Sequence, residues 1–175
     1  GDLAGRKILP ALAKLRAEGS LHEKCLIMGV GRREDLDDTS FRAEVRSSLK
    51  GAKLPDATVS AWRDDCVFWQ HMPNSDVDDC RSLRSRLESL EAERGMPANR
   101  TFYLSLPPGL FAPTAAALGA AGLASASGWT RLVIEKPFGR DLASARELNA
   151  AVHEHFQEAQ IYRIAQETGY RITLI

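Results

Sequence analysis

The chain alternates between short, mostly apolar runs and longer stretches in which apolar residues recur every three or four positions. The short runs, at residues 25–30, 67–71, 101–106 and 130–135, predict β-strands. The stretches between them predict helices over about 3–16, from 38 or 39 to about 49, from about 76 to 94, over about 111–121 and from 142 to about 156. Strands that alternate with helices in this way are typical of an α/β fold with a parallel sheet.

Residues at the predicted helix ends sharpen these boundaries. Pro10 lies inside the first helical pattern and predicts either a kink or a late helix start. Asp38 or Thr39 can cap the second helix, and Ser75 and Asp76 open the third, which Gly95 ends. Asp141 caps the last helix, whose inner face is predicted to carry Leu142, Ala145, Leu148 and Val152.

Composition narrows the class of protein. The 175 residues are enough for one domain, and 23 Lys and Arg balance 23 Asp and Glu, which argues against a nucleic-acid-binding surface. No apolar run is long enough to span a bilayer.

The cysteines Cys25, Cys66 and Cys80 lack metal-site or redox spacing, so we expect reduced thiols in a cytoplasmic protein. His153 and His155 are two apart on a helix and make a poor metal pair, so no metal site is predicted.

One strand end carries candidate chemistry. The apolar run at 130–135 stops at Glu135 and Lys136, and Pro137 keeps Lys136 out of helical conformations. A lysine there lies at the carboxyl end of a strand, the edge at which open α/β sheets bind ligands. The alternative is a strand that simply ends in solvated charges.

Several segments together resemble the glucose-6-phosphate dehydrogenase family. They are the opening Gly-Asp-Leu-Ala-Gly-Arg-Lys-Ile-Leu-Pro-Ala-Leu, the run Phe-Tyr-Leu-Ser-Leu-Pro-Pro at 102–108, the block 128–149 beginning Gly-Trp-Thr-Arg-Leu-Val-Ile-Glu-Lys-Pro-Phe-Gly-Arg-Asp, and Gln-Ile-Tyr-Arg-Ile at 160–164. They occur in the family's order. Another sugar oxidoreductase family also has Glu-Lys-Pro after a Rossmann strand, but it lacks the opening segment and the Phe-Gly-Arg-Asp run.

The resemblance implies a Rossmann-like, doubly wound parallel sheet that lacks its first strand. Residues 1–164 would form an incomplete dinucleotide-binding domain, residues 165–175 a diverged tail, and the family's substrate domain would be absent. Because the first strand of such a sheet is central, its loss would leave an unpaired ladder. We therefore expect the isolated chain to be marginally stable or prone to aggregation.

The resemblance also implies a set of binding residues. Gly1, Asp2 and Leu3 would lie at a helix N-terminus, where backbone N–H groups favour the cofactor diphosphate. Arg32, with Arg33 as a helper, would bind the 2′-phosphate of NADP, and the alternative is a solvated basic turn. Lys136 would lie between nicotinamide and sugar and bind both, while the turn 106–108 would border the cofactor.

The family's general base would lie in the absent domain, so no catalytic residue is assigned. Gln166, Glu167 and Tyr170 stand where the family has sugar-phosphate ligands, and none of them is carried over. The function implied is hydride transfer from C1 of glucose 6-phosphate to NADP in the pentose phosphate pathway. The alternative is a non-catalytic NADP-binding remnant of a broken gene. No nucleic-acid or membrane partner is expected, and a homo-oligomer is expected only if the missing domain exists.

Overall fold

A computed structural model gives the structure of the protein and describes residues 4–51, 54, 56–136 and 141–164. Five strands alternate with six helices over these residues. The strands are β1 (Ile27–Gly31), β2 (Val67–His71), β3 (Arg100–Leu104), β4 (Thr130–Glu135) and β5 (Ile161–Ile164). The helices are α1 (Leu9–Ala17), α2 (Asp38–Leu49), α3 (Asp56–Cys66), α4 (Val77–Arg94), α5 (Phe111–Ala120) and α6 (Leu142–His153). The chain divides into two compact units, residues 1–75 and 76–175.

The first unit is built on a parallel pair of strands. β1 pairs with β2 in a register that places Ile27 opposite Val67 and Gly31 opposite His71. The other edge of β2 is covered by side chains of α2, because the N–H of Trp69 donates to Asp38 at 2.7 Å and Arg42 donates to the carbonyl of Val67 at 2.8 Å. These contacts satisfy polar backbone groups that an edge strand would otherwise expose.

The core of the first unit joins β2 to three helices. Helix α1 packs against α2 and α3. The buried cluster consists of Leu9, Ala13, Val45, Leu49, Trp62, Cys66 and Val67. Helix α1 begins only at Leu9, after a π-helical turn at Ala4–Ile8, and has Pro10 in its first turn. The late start predicted from Pro10 is therefore confirmed.

The second unit holds a parallel three-stranded sheet in the order β3-β4-β5. Leu104 lies opposite Ile134, and Glu135 lies opposite Ile164. Helix α6 covers one face of this sheet, where Ala145, Leu148 and Val152 line the same small cavity as Ile134 and Ile161. Helix α5 packs against both α4 and α6.

The predicted α/β, Rossmann-like fold with parallel strands is confirmed. In the described residues the strands form two separate sheets, and neither the edge of β1 away from β2 nor the edge of β3 away from β4 has a strand partner there. None of the described helices is long and apolar enough to cross a membrane.

Two predicted details are wrong. The cap of α2 is Asp37, whose carboxylate accepts a hydrogen bond from the N–H of Ser40 at 2.7 Å, rather than Asp38 or Thr39. Asp38 instead accepts a hydrogen bond from the N–H of Trp69 on β2. Leu142 is 67% exposed and does not face the core, because it occupies the first turn of α6 just after the Asp141 cap.

Candidate functional site

Two adjacent arginines follow β1, and the structure gives them different surroundings. Both side chains are exposed in the turn after Gly31. Arg33 forms an ion pair with Glu44 of α2 at 2.5 Å and donates through Nε to Asp35 at 3.0 Å. Arg32 forms no ion pair and no side-chain hydrogen bond with any residue that the structure describes. Its guanidinium is therefore the one of the pair that can receive an external anion.

The carboxylates around Arg33 respond to its charge. Hydrogen bonding from Arg33 holds the pKa of Asp35 below its usual value, and hydrogen bonds to Asp35 and Glu44 raise the pKa of Arg33. Arg33, Asp35 and Glu44 thus form a hydrogen-bonded cluster next to Arg32 in the sequence, in which two carboxylates surround one guanidinium. Arg33, expected as a helper in phosphate binding, donates hydrogen bonds to Asp35 and Glu44, and its role toward a phosphate stays a prediction.

The glycines of the Gly29-Val30-Gly31 segment make room for aromatic rings. A Cβ atom at Gly29 would lie 2.4 Å from the Phe41 ring, and one at Gly31 would lie 2.7 Å from the Trp69 ring. The two rings contact each other with their centroids 5.0 Å apart. Packing within the first unit therefore requires these glycines, and it fixes the position at which β1 ends and the arginines begin.

Lys136 lies at the carboxyl edge of the sheet in the second unit. Its backbone N–H donates to the carbonyl of Ile164 on β5 at 3.1 Å, so the ladder continues one residue past β4. Its side chain is exposed and forms no ion pair or hydrogen bond within the described part of the chain. An exposed ammonium group at this edge can donate up to three hydrogen bonds to a ligand.

The turn after β3 lies at the same edge as Lys136, because β3 and β4 are parallel and paired in register. Pro107 has an extended conformation and Pro108 opens a 3-10 turn, Pro108–Leu110, that leads into α5. The N–H of Leu110 closes the turn on the carbonyl of Pro107 at 2.9 Å. Two prolines and this hydrogen bond make the turn rigid.

The carboxylate next to Lys136 has a partner that the sequence did not indicate. Glu135 accepts a hydrogen bond from the hydroxyl of Tyr103 on β3. Tyr103 lies opposite Val133, so Glu135 is its diagonal neighbour on the same face of the sheet. The sequence contains no signal for this pair, because the register of β3 against β4 is set by tertiary structure.

Some predicted site residues lie outside the described part of the chain. They are Gly1, Asp2 and Leu3, the segment 137–140 after Lys136, and the tail 165–175 with Gln166, Glu167 and Tyr170. Arg32 belongs to the first unit and Lys136 to the second, and each is placed here within its own unit.

The histidines have structural roles. His22 lies exposed in a turn and accepts from the N–H of Lys24 at 3.1 Å, and His71 ends β2. His153 contacts Glu158 at 2.9 Å, while the ring of His155 fills the space above Gly119 on α5. Among the described residues, no group of three or more His, Cys, Asp or Glu could hold a metal ion.

The cysteines are all free. Cys80 is fully buried, and burial raises the pKa of its thiol to about 11. Burial, and then the nearby Cys66, raise the pKa of Cys25. These two thiols therefore stay protonated at neutral pH and do not act as nucleophiles there.

A family model described as "Glucose-6-phosphate dehydrogenase, NAD binding domain" matches residues 1–169. The glucose-6-phosphate 1-dehydrogenase of Bacillus subtilis strain 168 is 37% identical over 172 residues, which are 97% of this chain and 34% of that protein. Glucose-6-phosphate 1-dehydrogenase 2 of Mycobacterium tuberculosis strain H37Rv is 38% identical over 173 residues, again 97% of this chain and 34% of the relative.

A solved structure shares the fold. It is described as glucose-6-phosphate dehydrogenase in complex with its substrate glucose-6-phosphate, and it superposes with a TM-score of 0.84 at 36% identity. The match covers 94% of this chain and 34% of that one. The chain thus spans about a third of the length of the relatives it matches.

Proposed function

The chain belongs to the glucose-6-phosphate dehydrogenase family, through that family's NAD binding domain, and we propose that its nicotinamide nucleotide is NADP. The observation that carries the proposal is the contrast between Arg32 and Arg33. Arg32 is an exposed cation, without an ion pair among the described residues, at the end of β1. In Rossmann-type sites a carboxylate near this strand end suits the ribose hydroxyls of NAD, whereas an arginine suits the 2′-phosphate of NADP.

The chemistry of the Arg32 side chain also suits a phosphate. A guanidinium can form two parallel, charge-assisted hydrogen bonds to phosphate oxygens. Asp35, a nearby carboxylate that could otherwise accept from ribose hydroxyls, is held by Arg33. The chemistry of the donors available in this turn therefore fits a dianionic group.

The second proposed role belongs to Lys136. Its exposed side chain lies at the carboxyl edge of the sheet, the edge at which the turn with Pro107 and Pro108 also lies. There it would donate hydrogen bonds to oxygens of a sugar substrate and to the nucleotide, and so hold the two in the orientation that hydride transfer requires.

We propose glucose 6-phosphate as the substrate of the protein to which this domain belongs. The solved relative described above contains glucose-6-phosphate as its substrate. Oxidation at C1 removes a hydride from the carbon and a proton from its hydroxyl group, which leaves the 6-phospho-lactone. NADP, when bound, supplies the nicotinamide ring that accepts the hydride. No residue described here is assigned as the base that takes the proton.

The proposal is tested by titrating the 175-residue chain with NADP and with NAD by calorimetry, and by recording NADPH absorbance after glucose 6-phosphate is added. We expect NADP to bind more tightly than NAD. Absence of binding by either nucleotide, or tighter binding of NAD, would contradict the cofactor assignment. Binding of NADP without turnover would agree with the cofactor assignment, because the base and the substrate domain are not among the residues assigned here, and turnover would then be tested in the protein to which this domain belongs.

A further inference from the structure

The hydrogen bond between Tyr103 and Glu135 connects two strands immediately before their functional ends. Tyr103 is the last residue but one of β3, and Glu135 is the last residue of β4. The Tyr103 hydroxyl donates to the Glu135 carboxylate across the pair. The next residue after Glu135 is Lys136, and the proline turn begins three residues after Leu104.

The burial of Glu135 makes this hydrogen bond important for the position of its carboxylate. Glu135 is only 9% exposed, and a carboxylate so placed requires hydrogen-bond donors to offset the loss of water. A tyrosine supplies its donor from the end of a rigid ring with two rotatable bonds, so the donor fixes the carboxylate in one place. The end of β4 is thereby fixed relative to β3.

Lys136 is held from the opposite side by backbone pairing. Its N–H donates to Ile164 of β5 at 3.1 Å. Its main chain is therefore fixed between β3, through Tyr103 and Glu135, and β5, through Ile164. The side chain itself forms no ion pair or hydrogen bond with the residues the structure describes. The main chain thus sets the point from which this side chain extends.

We infer that Tyr103 and Glu135 form a positioning pair that sets where the Lys136 ammonium group lies at the carboxyl edge of the sheet. The inference rests on the proposed function, in which Lys136 contacts the nicotinamide nucleotide. The pair is assigned a role through Lys136 and no contact of its own with the nucleotide.

A double-mutant cycle tests the pair, with NADPH fluorescence as the measure of binding to the full chain. Tyr103→Phe removes one hydroxyl group and keeps the ring. We expect it to weaken NADPH binding roughly three- to tenfold, the range of one net hydrogen bond. In the Lys136→Ala background the same substitution should change nothing further, because the group that it positions is gone.

A general effect on folding would give a different pattern. If Tyr103→Phe weakened NADPH binding equally with and without Lys136, or did not weaken it while Lys136→Ala did, the positioning role would be overturned. If Lys136→Ala bound NADPH as tightly as the wild type, the proposed contact of Lys136 with the nucleotide would fail, and the positioning role with it.

Two further observations apply should the Phe variant be poorly folded. Glu135→Gln keeps an oxygen that accepts from Tyr103 and should bind NADPH like the wild type, whereas Glu135→Leu should bind like Tyr103→Phe. Hydrogen exchange at the Lys136 amide should be faster in Glu135→Leu than in the wild type. Exchange at the Met72 amide, which donates to Gly31 at 2.8 Å in the first unit, should not change. Unchanged exchange at Lys136 would overturn the positioning role.

Discussion

The Arg33 guanidinium lies 2.5 Å from the Glu44 carboxylate, and this ion pair connects the turn after β1 to helix α2. Arg33 also donates to Asp35, so its positive charge is compensated within the turn. Arg32, the neighbouring residue, has no such compensation among the described residues. The two adjacent arginines therefore have different roles. Arg33 stabilises the turn, and Arg32 is available for an anionic ligand.

Replacing Arg33 by Ala should raise the pKa of Asp35, because a hydrogen bond from Arg33 is the largest cause of its depression. A carboxyl group with a depressed pKa in the folded state contributes stability above its unfolded pKa of about 3.9, and that contribution is lost as the pH falls through the folded pKa. Stability should therefore fall less steeply in acid for Arg33→Ala than for the wild type.

Carboxyl chemical shifts followed by NMR during an acid titration measure this shift. Asp37 is the internal control, because its depressed pKa is caused mainly by hydrogen bonds from Ser40. A parallel rise of both pKa values would point to a general change of the turn rather than to loss of the Arg33 contact.

Replacing Gly29 by Ala should destabilise the first unit by about 1–3 kcal/mol, the usual cost of overpacking. The added Cβ would lie 2.4 Å from Phe41, whose ring is itself packed against Trp69 and has little room to move. Urea unfolding followed by tryptophan fluorescence measures the change. Gly51→Ala is the matched control, because no atom lies within 4 Å of its Cβ position. Equal stability of the two variants would show that the close approach is not required.

Replacing Glu91 by Gln should destabilise the second unit by about 3 kcal/mol, because it leaves the buried Arg100 guanidinium without its counter-charge. Two hydrogen bonds of 2.7 Å join these side chains, which are 6% and 13% exposed for Arg100 and Glu91. Glu88→Gln in the exposed pair with Arg84 is the control, and its effect should be much smaller. Similar losses in the two variants, measured by urea unfolding, would contradict this account of the buried pair.

The fold was predictable where apolar runs and helix-end residues agreed. Val67–His71 and Thr130–Glu135 were predicted to the residue because each contains an unbroken apolar run, Val-Phe-Trp in the first and Leu-Val-Ile in the second. Helix α4 followed from Asp76, which caps it, and from Gly95, which ends it in a left-handed conformation. These signals are local, so the sequence contains them in full.

Elements stabilised by distant contacts were not predicted. The sequence before helix α3 offers no clear capping residue. The inner face of this helix is identified by Trp62 and Cys66, which are buried in the same cluster as residues of α1 and β2. Strand β5 has only four residues, and Tyr162 and Arg163 in its middle are not buried. Neither segment has a periodic pattern strong enough to be recognised without the structure.

In the candidate site, too, some residues could be predicted from the sequence, whereas other contacts are seen only in the structure. The resemblance predicted Arg32 and Lys136 as binding residues. The ion pair of Arg33 with Glu44, in contrast, depends on a contact between a turn and a helix, with the two residues 11 apart in the sequence. The Tyr103–Glu135 pair depends on a strand register that joins residues 32 apart. Both relationships are tertiary and are absent from any local pattern.

The central claim, that Arg32 selects NADP, is tested most directly by the ratio of NADP to NAD affinity in the wild type and in Arg32→Ala, measured by calorimetry. Arg81→Ala, an exposed arginine on α4 that pairs with Asp78, controls for the change of net charge. The account predicts that Arg32→Ala weakens NADP binding roughly 10- to 100-fold, the range for hydrogen bonds to a charged group, and leaves NAD binding unchanged. Equal weakening of the two nucleotides, or none, would contradict it.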